Sequence, residues 1–297
     1  MTKTTRKWIL GIFIVFLLSA LSFEVHKQVK FELGNRESYA LSKKDEQTKN
    51  GIIVFCYHRV LNNNSTVKTV EKLSPNNQLH VYNVNLSTFK NQMNFLQKHH
   101  IKVISTTQMA SMLQKHREVR GKYVVITFDD VDRTLAENAA PVLEKHHYPF
   151  TASIITGNTG RYREGEQLAT WPQIIKMKKQ AGNLLELGVH TNNMHYLTPN
   201  GTAVFNIPKN FSRFKKDFKT SELVMKKESG SKTPIFTYPY GSGDPQVEKF
   251  LTDQPILKVI YTLNNGIVTS RENLSLTPRV IINHNSWPSV SKWLSTK

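Results

Sequence analysis

Cysteine is nearly absent from this chain of 297 residues: Cys56 stands alone, so no intramolecular disulfide can form. Acidic residues are also few, 22 against 40 Lys and Arg, which leaves a formal net charge of +18. No segment repeats with a period of about 20–50 residues, which excludes solenoids and propellers. Long apolar runs are missing except at the start, and no nucleic-acid recognition motif accompanies the positive charge. What remains is a globular composition, 39% hydrophobic and 21% charged. The length suits a single α/β barrel and does not demand two domains.

The start of the chain differs in kind. Lys3, Arg6 and Lys7 precede an apolar run from Trp8 to Phe23, broken by Gly11, Ser19 and Ser22. A basic n-region and a short apolar h-region make the pattern of a secretory signal. The run is short against the ~20 residues of a membrane span. Residues 1–28 are therefore expected to act as a signal peptide or an N-terminal anchor, with Ala20-Leu21-Ser22 a weak cleavage site. Residues 29–50, polar and without periodicity, read as a flexible leader. An exported protein of this size without disulfides points to a bacterial product stabilised by its core. Cys56 lies in the apolar run Gly51-Ile-Ile-Val-Phe-Cys-Tyr57, which predicts a buried structural thiol rather than a nucleophile.

Outside a cell, the polyanions at hand are wall polymers and anionic lipid headgroups. The excess positive charge is read as a retention device that holds a secreted monomer at its own cell surface by long-range attraction. Solvated lysine-rich faces without a partner are the alternative.

From Gly51 onward apolar strands alternate with amphipathic helices. Strands are expected at Gly51–Tyr57, Ile101–Ile104, Tyr123–Phe128, Phe150–Ile155, Leu184–Val189, Ile235–Thr237, Leu257–Tyr261 and Val280–Ile282. Between them helical spacing appears near Leu86–Leu96, Thr107–Lys115, Thr134–His146, Trp171–Gln180, Phe205–Ser229 in its second half, and Gln246–Thr252. Leu61 to Asn83 has no pattern and reads as a long loop. Such alternation implies a distorted (β/α) barrel of about seven parallel strands, formed by residues 51–297.

In such barrels chemistry gathers where strands end. Four predicted strands end in polar residues of catalytic type. Tyr123–Phe128 runs into Asp129-Asp130; Leu184–Val189 runs into His190, with His195 just beyond; Gly51–Tyr57 runs into His58; Ile235–Thr237 runs into Tyr238-Pro239-Tyr240-Gly241. Adjacent acids at a strand end point to opposite faces, so one can ligate a metal while the other accepts a proton. The histidines are five apart, wrong for one helix face, but the tight Asn192-Asn193 loop lets the chain fold back. Two His and one carboxylate leave open positions, as a catalytic rather than a structural metal site requires.

The ordered motifs Thr-Phe-Asp-Asp, His-Thr-Asn-Asn-Met-His and Tyr-Pro-Tyr-Gly resemble those of the polysaccharide deacetylases, carbohydrate esterase family 4. The leading Phe-Cys-Tyr-His-Arg-Val and the five-residue His spacing resemble its circularly permuted branch, which deacetylates the biofilm exopolysaccharide poly-β-1,6-N-acetyl-D-glucosamine. The resemblance implies that Asp130, His190 and His195 hold a divalent metal, zinc or another transition metal. It further implies Asp129 as general base, a backbone N–H at Tyr240 toward the oxyanion, and His58 as general acid to the leaving amine. Two departures stand out. The family's arginine ahead of the third-motif proline is missing, since Phe236-Thr237-Tyr238 precede Pro239, so what orients Asp129 is left open. His284 in Ile281-Ile-Asn-His offers a second candidate acid.

Aromatics near these loops (Tyr57, Tyr196, Trp171, Tyr240, Trp287) are candidates for stacking on sugar rings. Three competing readings are a peptidoglycan or chitin-like deacetylase, a glycosyltransferase using Asp130-Val-Asp132 as a metal-binding D-x-D, and a non-catalytic polysaccharide-binding protein on this scaffold.

Overall fold

The computed structural model describes residues 5, 6, 8, 11–23, 26, 39–62, 81–114, 119–163, 165–269 and 274–296. Parts of the expected signal segment, residues 29–38 of the expected leader and residues 63–80 of the expected loop lie outside the described residues.

The predicted strands form one sheet, and every pair in it is parallel. In chain order they are β1 (Gly51–Tyr57), β2 (Lys102–Val103), β3 (Lys122–Phe128), β4 (Phe150–Ile154), β5 (Leu185–Val189), β6 (Ile235–Thr237), β7 (Val259–Tyr261) and β8 (Val280–Ile281). Seven of them follow the order β7-β6-β5-β4-β3-β1-β8, and the two-residue β2 pairs with β3. The sheet curls until its edges nearly meet, where a single bridge joins Tyr261 to Thr277 just before β8.

Side-chain alternation explains the two faces. In β1, Ile53, Phe55 and Tyr57 join the large cluster under the outer helices. Ile52 and Val54 point the other way, into the barrel, with Val125, Val259 and Tyr261. Met109, Ala110 and Leu113 of helix α2 (Thr106–Gln114) plug the bottom of that interior. Helix α1 is Leu86–Lys98, α3 Ala140–His146, α4 Trp171–Ala181, α5 Phe211–Ser229 and α6 Pro245–Thr252. Thr170 starts α4 with a capping box closed by Gln173, which satisfies two of the free N–H groups at the helix start. The Thr134–His146 helix opens instead as a π turn over Leu135–Ala139.

Two segments depart from the sequence reading. A further helix, α7 (Trp287–Ser295), follows β8, with Pro288 in its first turn and Val290, Trp293 and Leu294 buried. Residues 39–50, expected within a flexible leader, pack on that helix. Leu41 is buried and its N–H bonds Ser289 Oγ at 3.0 Å. Trp293 Nε1 donates to Thr48 O at 2.6 Å, and Lys292 meets Glu46 at 2.9 Å. The polar composition of the segment hid this, because its anchors are backbone groups and one leucine rather than an apolar period.

Candidate active site

Strand parity places the first acid. Along β3, Tyr123 and Val125 face the interior, Thr127 follows, and Asp129 continues that face past the strand end, 1% exposed. There it meets Arg279, the residue before β8, also 1% exposed. Nη1 donates to Oδ1 and Nη2 to Oδ2, both at 2.7 Å. The guanidinium is itself held by Thr262 O at 2.9 Å and Thr127 Oγ1 at 3.1 Å. Burial alone would raise the Asp129 pKa, but the Arg279 charge and its two hydrogen bonds outweigh burial and hold it below 3.8. The arginine missing before Pro239 thus has a counterpart from the other end of the domain. Its only sequence signal was one charge in the otherwise apolar stretch Pro278-Arg279-Val280-Ile281-Ile282.

The chain then reverses. Asp130 and Val131 have φ of 64° and 62°, and Val131 N–H bonds Asp129 O at 2.7 Å. Left-handed geometry is unusual for any residue but glycine and a genuine outlier for valine. Thr191 (φ 64°) and Tyr240 (φ 57°) share it, so four of the six such non-glycine residues described ring one site. Each costs about 1–3 kcal/mol, held by the surrounding structure. The reversal carries Asp130 Oδ1 to 3.1 Å from His195 Nε2 and 3.4 Å from His190 Nε2.

His190 ends β5. Its Nδ1 donates to Thr237 O at 2.8 Å, which fixes the tautomer and leaves the Nε2 lone pair facing Asp130. His195 comes back through the Asn192-Asn193 loop, whose two N–H groups are both gripped by the Asp217 carboxylate of α5 at 2.8 Å. Nothing local marks this clamp in the sequence, since Asp217 sits in a lysine-rich helix. Replacing Asp217 by alanine is expected to leave those N–H groups without their acceptor and loosen His195. Metal affinity should fall ~10–100-fold, with turnover restored at higher metal, as read by activity against metal concentration.

The three donors suit a cation. Their ligand atoms lie within 4.8 Å of one another, and Asp130 Oδ1 is buried without a hydrogen-bond partner. Burial would raise the Asp130 carboxyl, yet the two imidazoles pull it well below the usual carboxylate range. Burial pushes His190 down to about 4; on His195 the neighbouring Asp130 overcomes burial and raises the pKa.

These groups open into a pocket of about 80 Å³, also lined by His58, Tyr82, Arg163, Glu166 and Tyr240. The His58 ring lies 4.4 Å from that of Tyr82, and burial lowers its pKa against the pull of Asp129 and Asp130. His284 is exposed and is not among the lining residues. Tyr240 stands in the turn Pro239–Gly241. Besides its main chain it brings a hydroxyl 3.4 Å from His195 Nδ1. Among the aromatics singled out from sequence it alone lines the pocket. Tyr57 is fully buried, Trp171, Tyr196 and Trp287 pack on the core, and Tyr82 was missed. Arg59, paired with Glu166 at 3.2 Å, also escaped notice. Asp132 lies outside the metal cluster. Its two oxygens accept instead from Thr134 N at 2.9 Å and Gln167 N at 3.1 Å, so the donors that gather around Asp130 are the two histidines and not a D-x-D pair.

Residues 116–256 match the family model Polysaccharide deacetylase, a stretch that starts after β1 and stops before β7. A poly-β-1,6-N-acetyl-D-glucosamine N-deacetylase of Staphylococcus epidermidis is 27% identical over 269 residues, 87% of this chain and 88% of that one. Among solved structures, IcaB from Ammonifex degensii is 29% identical with a TM-score of 0.73, covering 83% of this chain and 98% of that one. This chain carries a polysaccharide deacetylase domain. It is a hydrolase of the N-deacetylase kind. A Streptococcus pyogenes deacetylase, PplD, shares the fold with a TM-score of 0.64 at 22% identity, over 84% of this chain and 100% of that one. The family match leaves β1 and β8 outside, yet His58, just after β1, lines the pocket, and Arg279, just before β8, holds Asp129 from behind it.

Proposed function

We propose that the protein is an exported, metal-dependent enzyme that removes N-acetyl groups from poly-β-1,6-N-acetyl-D-glucosamine and releases acetate. The observation that carries this reading is one pocket holding an Asp130–His190–His195 donor set beside an arginine-clamped Asp129. Two relatives of known name, matched along more than four-fifths of the chain, supply the substrate class.

A divalent cation on Asp130, His190 and His195, zinc first among candidates, would supply Lewis acidity to the attacking water and the acetyl oxygen. Asp129, kept ionised and aimed by Arg279, takes the proton from that water. The turn at Tyr240 faces the acetyl oxygen with its main chain; one such donor is worth ~3–4 kcal/mol. His58, at the end of the neighbouring strand β1, delivers a proton to the leaving amine, without which an amide C–N bond does not break at useful rates. His58→Gln is expected to cut kcat by ~10²–10⁴-fold, while His284→Ala leaves it within twofold. The reverse pattern would move the acid to His284.

Export rests on the basic residues ahead of the apolar run. Residues 11–23 are helical, with Ile12, Phe16 and Phe23 more than half exposed. Among the described residues no helix is long and apolar enough to cross a membrane. The net charge of +18 supports retention on anionic surface polymers or headgroups, so moderate salt should elute the protein from intact cells. The deciding experiment is acetate release from defined β-1,6- and β-1,4-linked N-acetylglucosamine oligomers, with and without chelator. Preference for the β-1,6 series and loss of turnover on chelation are expected. Chelator-insensitive release would sink the metal reading, and a β-1,4 preference the substrate.

A further inference from the structure

We infer that Cys56, His58 and Asp129 form a second cation site, distinct from the Asp130–His190–His195 set, and that filling it switches the enzyme off. One ligand atom from each of the three lies within 4.8 Å of the others. Cys56 Sγ and Asp129 Oδ2 are 3.6 Å apart. Bonds of 2.3 Å to sulfur and 2.0 Å to oxygen, spread at a tetrahedral angle, separate the two ligands by about 3.5 Å. That edge of the coordination shell is therefore already in place. His58 Nδ1 is buried and has no hydrogen-bond partner among the described residues.

The placement follows from the sheet. Cys56 takes the inward parity of Ile52 and Val54, one layer higher, and so stands on the barrel axis side of β1, next to the end of β3. His58 follows two residues on, and both converge on Asp129. The carboxylate keeps acceptor capacity beyond the fork of Arg279, since an ionised carboxylate has roughly four lone-pair sites. The guanidinium charge opposes a cation there, which makes this the weaker site and fills it only at excess metal. A thiol, an imidazole and a carboxylate select a borderline-soft divalent ion such as zinc, cobalt or cadmium over magnesium or calcium. As the sulfur–metal bond forms, the Cys56 S–H bond breaks and its proton leaves to solvent, so uptake of the second ion releases a proton. The site would occupy both Asp129 and His58. Inhibition thus rests on the roles assigned to them under the proposed function, whereas binding does not.

The test is a cobalt(II) titration of the chelator-treated full-length protein. The expected result is two equivalents bound, the second accompanied by a near-ultraviolet thiolate-to-cobalt charge-transfer band and by proton release. Cys56→Ser should bind one equivalent without the band, and His190→Ala should lose the first equivalent and keep the band. Saturation of the wild type at one equivalent, with no band at millimolar cobalt, overturns the site whatever the variants do. In parallel, the ratio of turnover at excess zinc to turnover at one equivalent should fall at least tenfold in the wild type and hold steady in Cys56→Ser. A charge-transfer band without inhibition would keep the site and overturn the assignment of Asp129 and His58 as base and acid.

Discussion

Replacing Arg279 by methionine is expected to lower kcat by ~10²–10⁴-fold, the span associated with losing a positioned general base. Asp129 is buried, and its ionised form is held by the two 2.7 Å bonds from Arg279. Without them, burial is the dominant influence left, and it favours the protonated carboxyl. Removing one partner of a buried ion pair also costs about 3–5 kcal/mol of stability while the other stays charged. The pH dependence gives a readout that simple misfolding would not. In the wild type the folded pKa of Asp129 lies below its unfolded 3.8. Its contribution is therefore present above about pH 4 and lost as the pH falls through the folded value. In Arg279→Met the folded value moves above 3.8, so the sign reverses and stability falls as the pH rises through it. Residual turnover should then increase with pH as Asp129 is forced to ionise. Arg279→Lys keeps the charge without the fork and should recover part of kcat. Wild-type kcat in the methionine variant, measured beside urea unfolding at several pH values, would remove Arg279 from the base's support.

The second large effect is at the candidate metal centre. His190→Ala is expected to abolish metal binding at micromolar concentrations and turnover with it, because two remaining donors do not make a three-ligand site. Chelation of the wild type should produce the same loss, reversed by added zinc. The melting temperature of the wild type should rise with metal, since a ligand bound only to the folded state stabilises it by mass action. His190→Ala should show no such rise at micromolar metal, where the second site is empty. In the metal-free protein Asp130 raises the His195 pKa above 6.5. A proton therefore competes with the cation, and affinity should weaken as the pH falls through the His195 value. Burial holds His190 neutral down to about 4, so it adds to that loss only in stronger acid. Metal affinity that is flat between pH 5 and 8 would contradict the ligand assignment.

Much of this was written locally. A seven-residue apolar run such as Gly51–Tyr57 forms a strand buried on both faces whatever surrounds it, and its alternation with amphipathic helices dictates a parallel sheet. Polar residues that follow such strands fall at one rim, so the grouping of His58, Asp129, Asp130, His190 and Tyr240 followed from the period alone. The ordered motifs Thr-Phe-Asp-Asp, His-Thr-Asn-Asn-Met-His and Tyr-Pro-Tyr-Gly also carried the family, because each is a short contiguous run that needs no tertiary contact to be seen.

What the sequence left open depended on distance along the chain. Arg279 lies 150 residues from Asp129 and meets it only because β8 pairs beside β1, which pairs beside β3. Asp217 reaches the Asn192-Asn193 loop through the packing of α5 across the sheet, and Leu41 with Thr48 closes over α7 through partners some 245 residues away. Charges and backbone groups of this kind show no period, since their partners are chosen by topology rather than by neighbours. The local pattern set which residues stand at the rim; the curl of the sheet decided which of them touch.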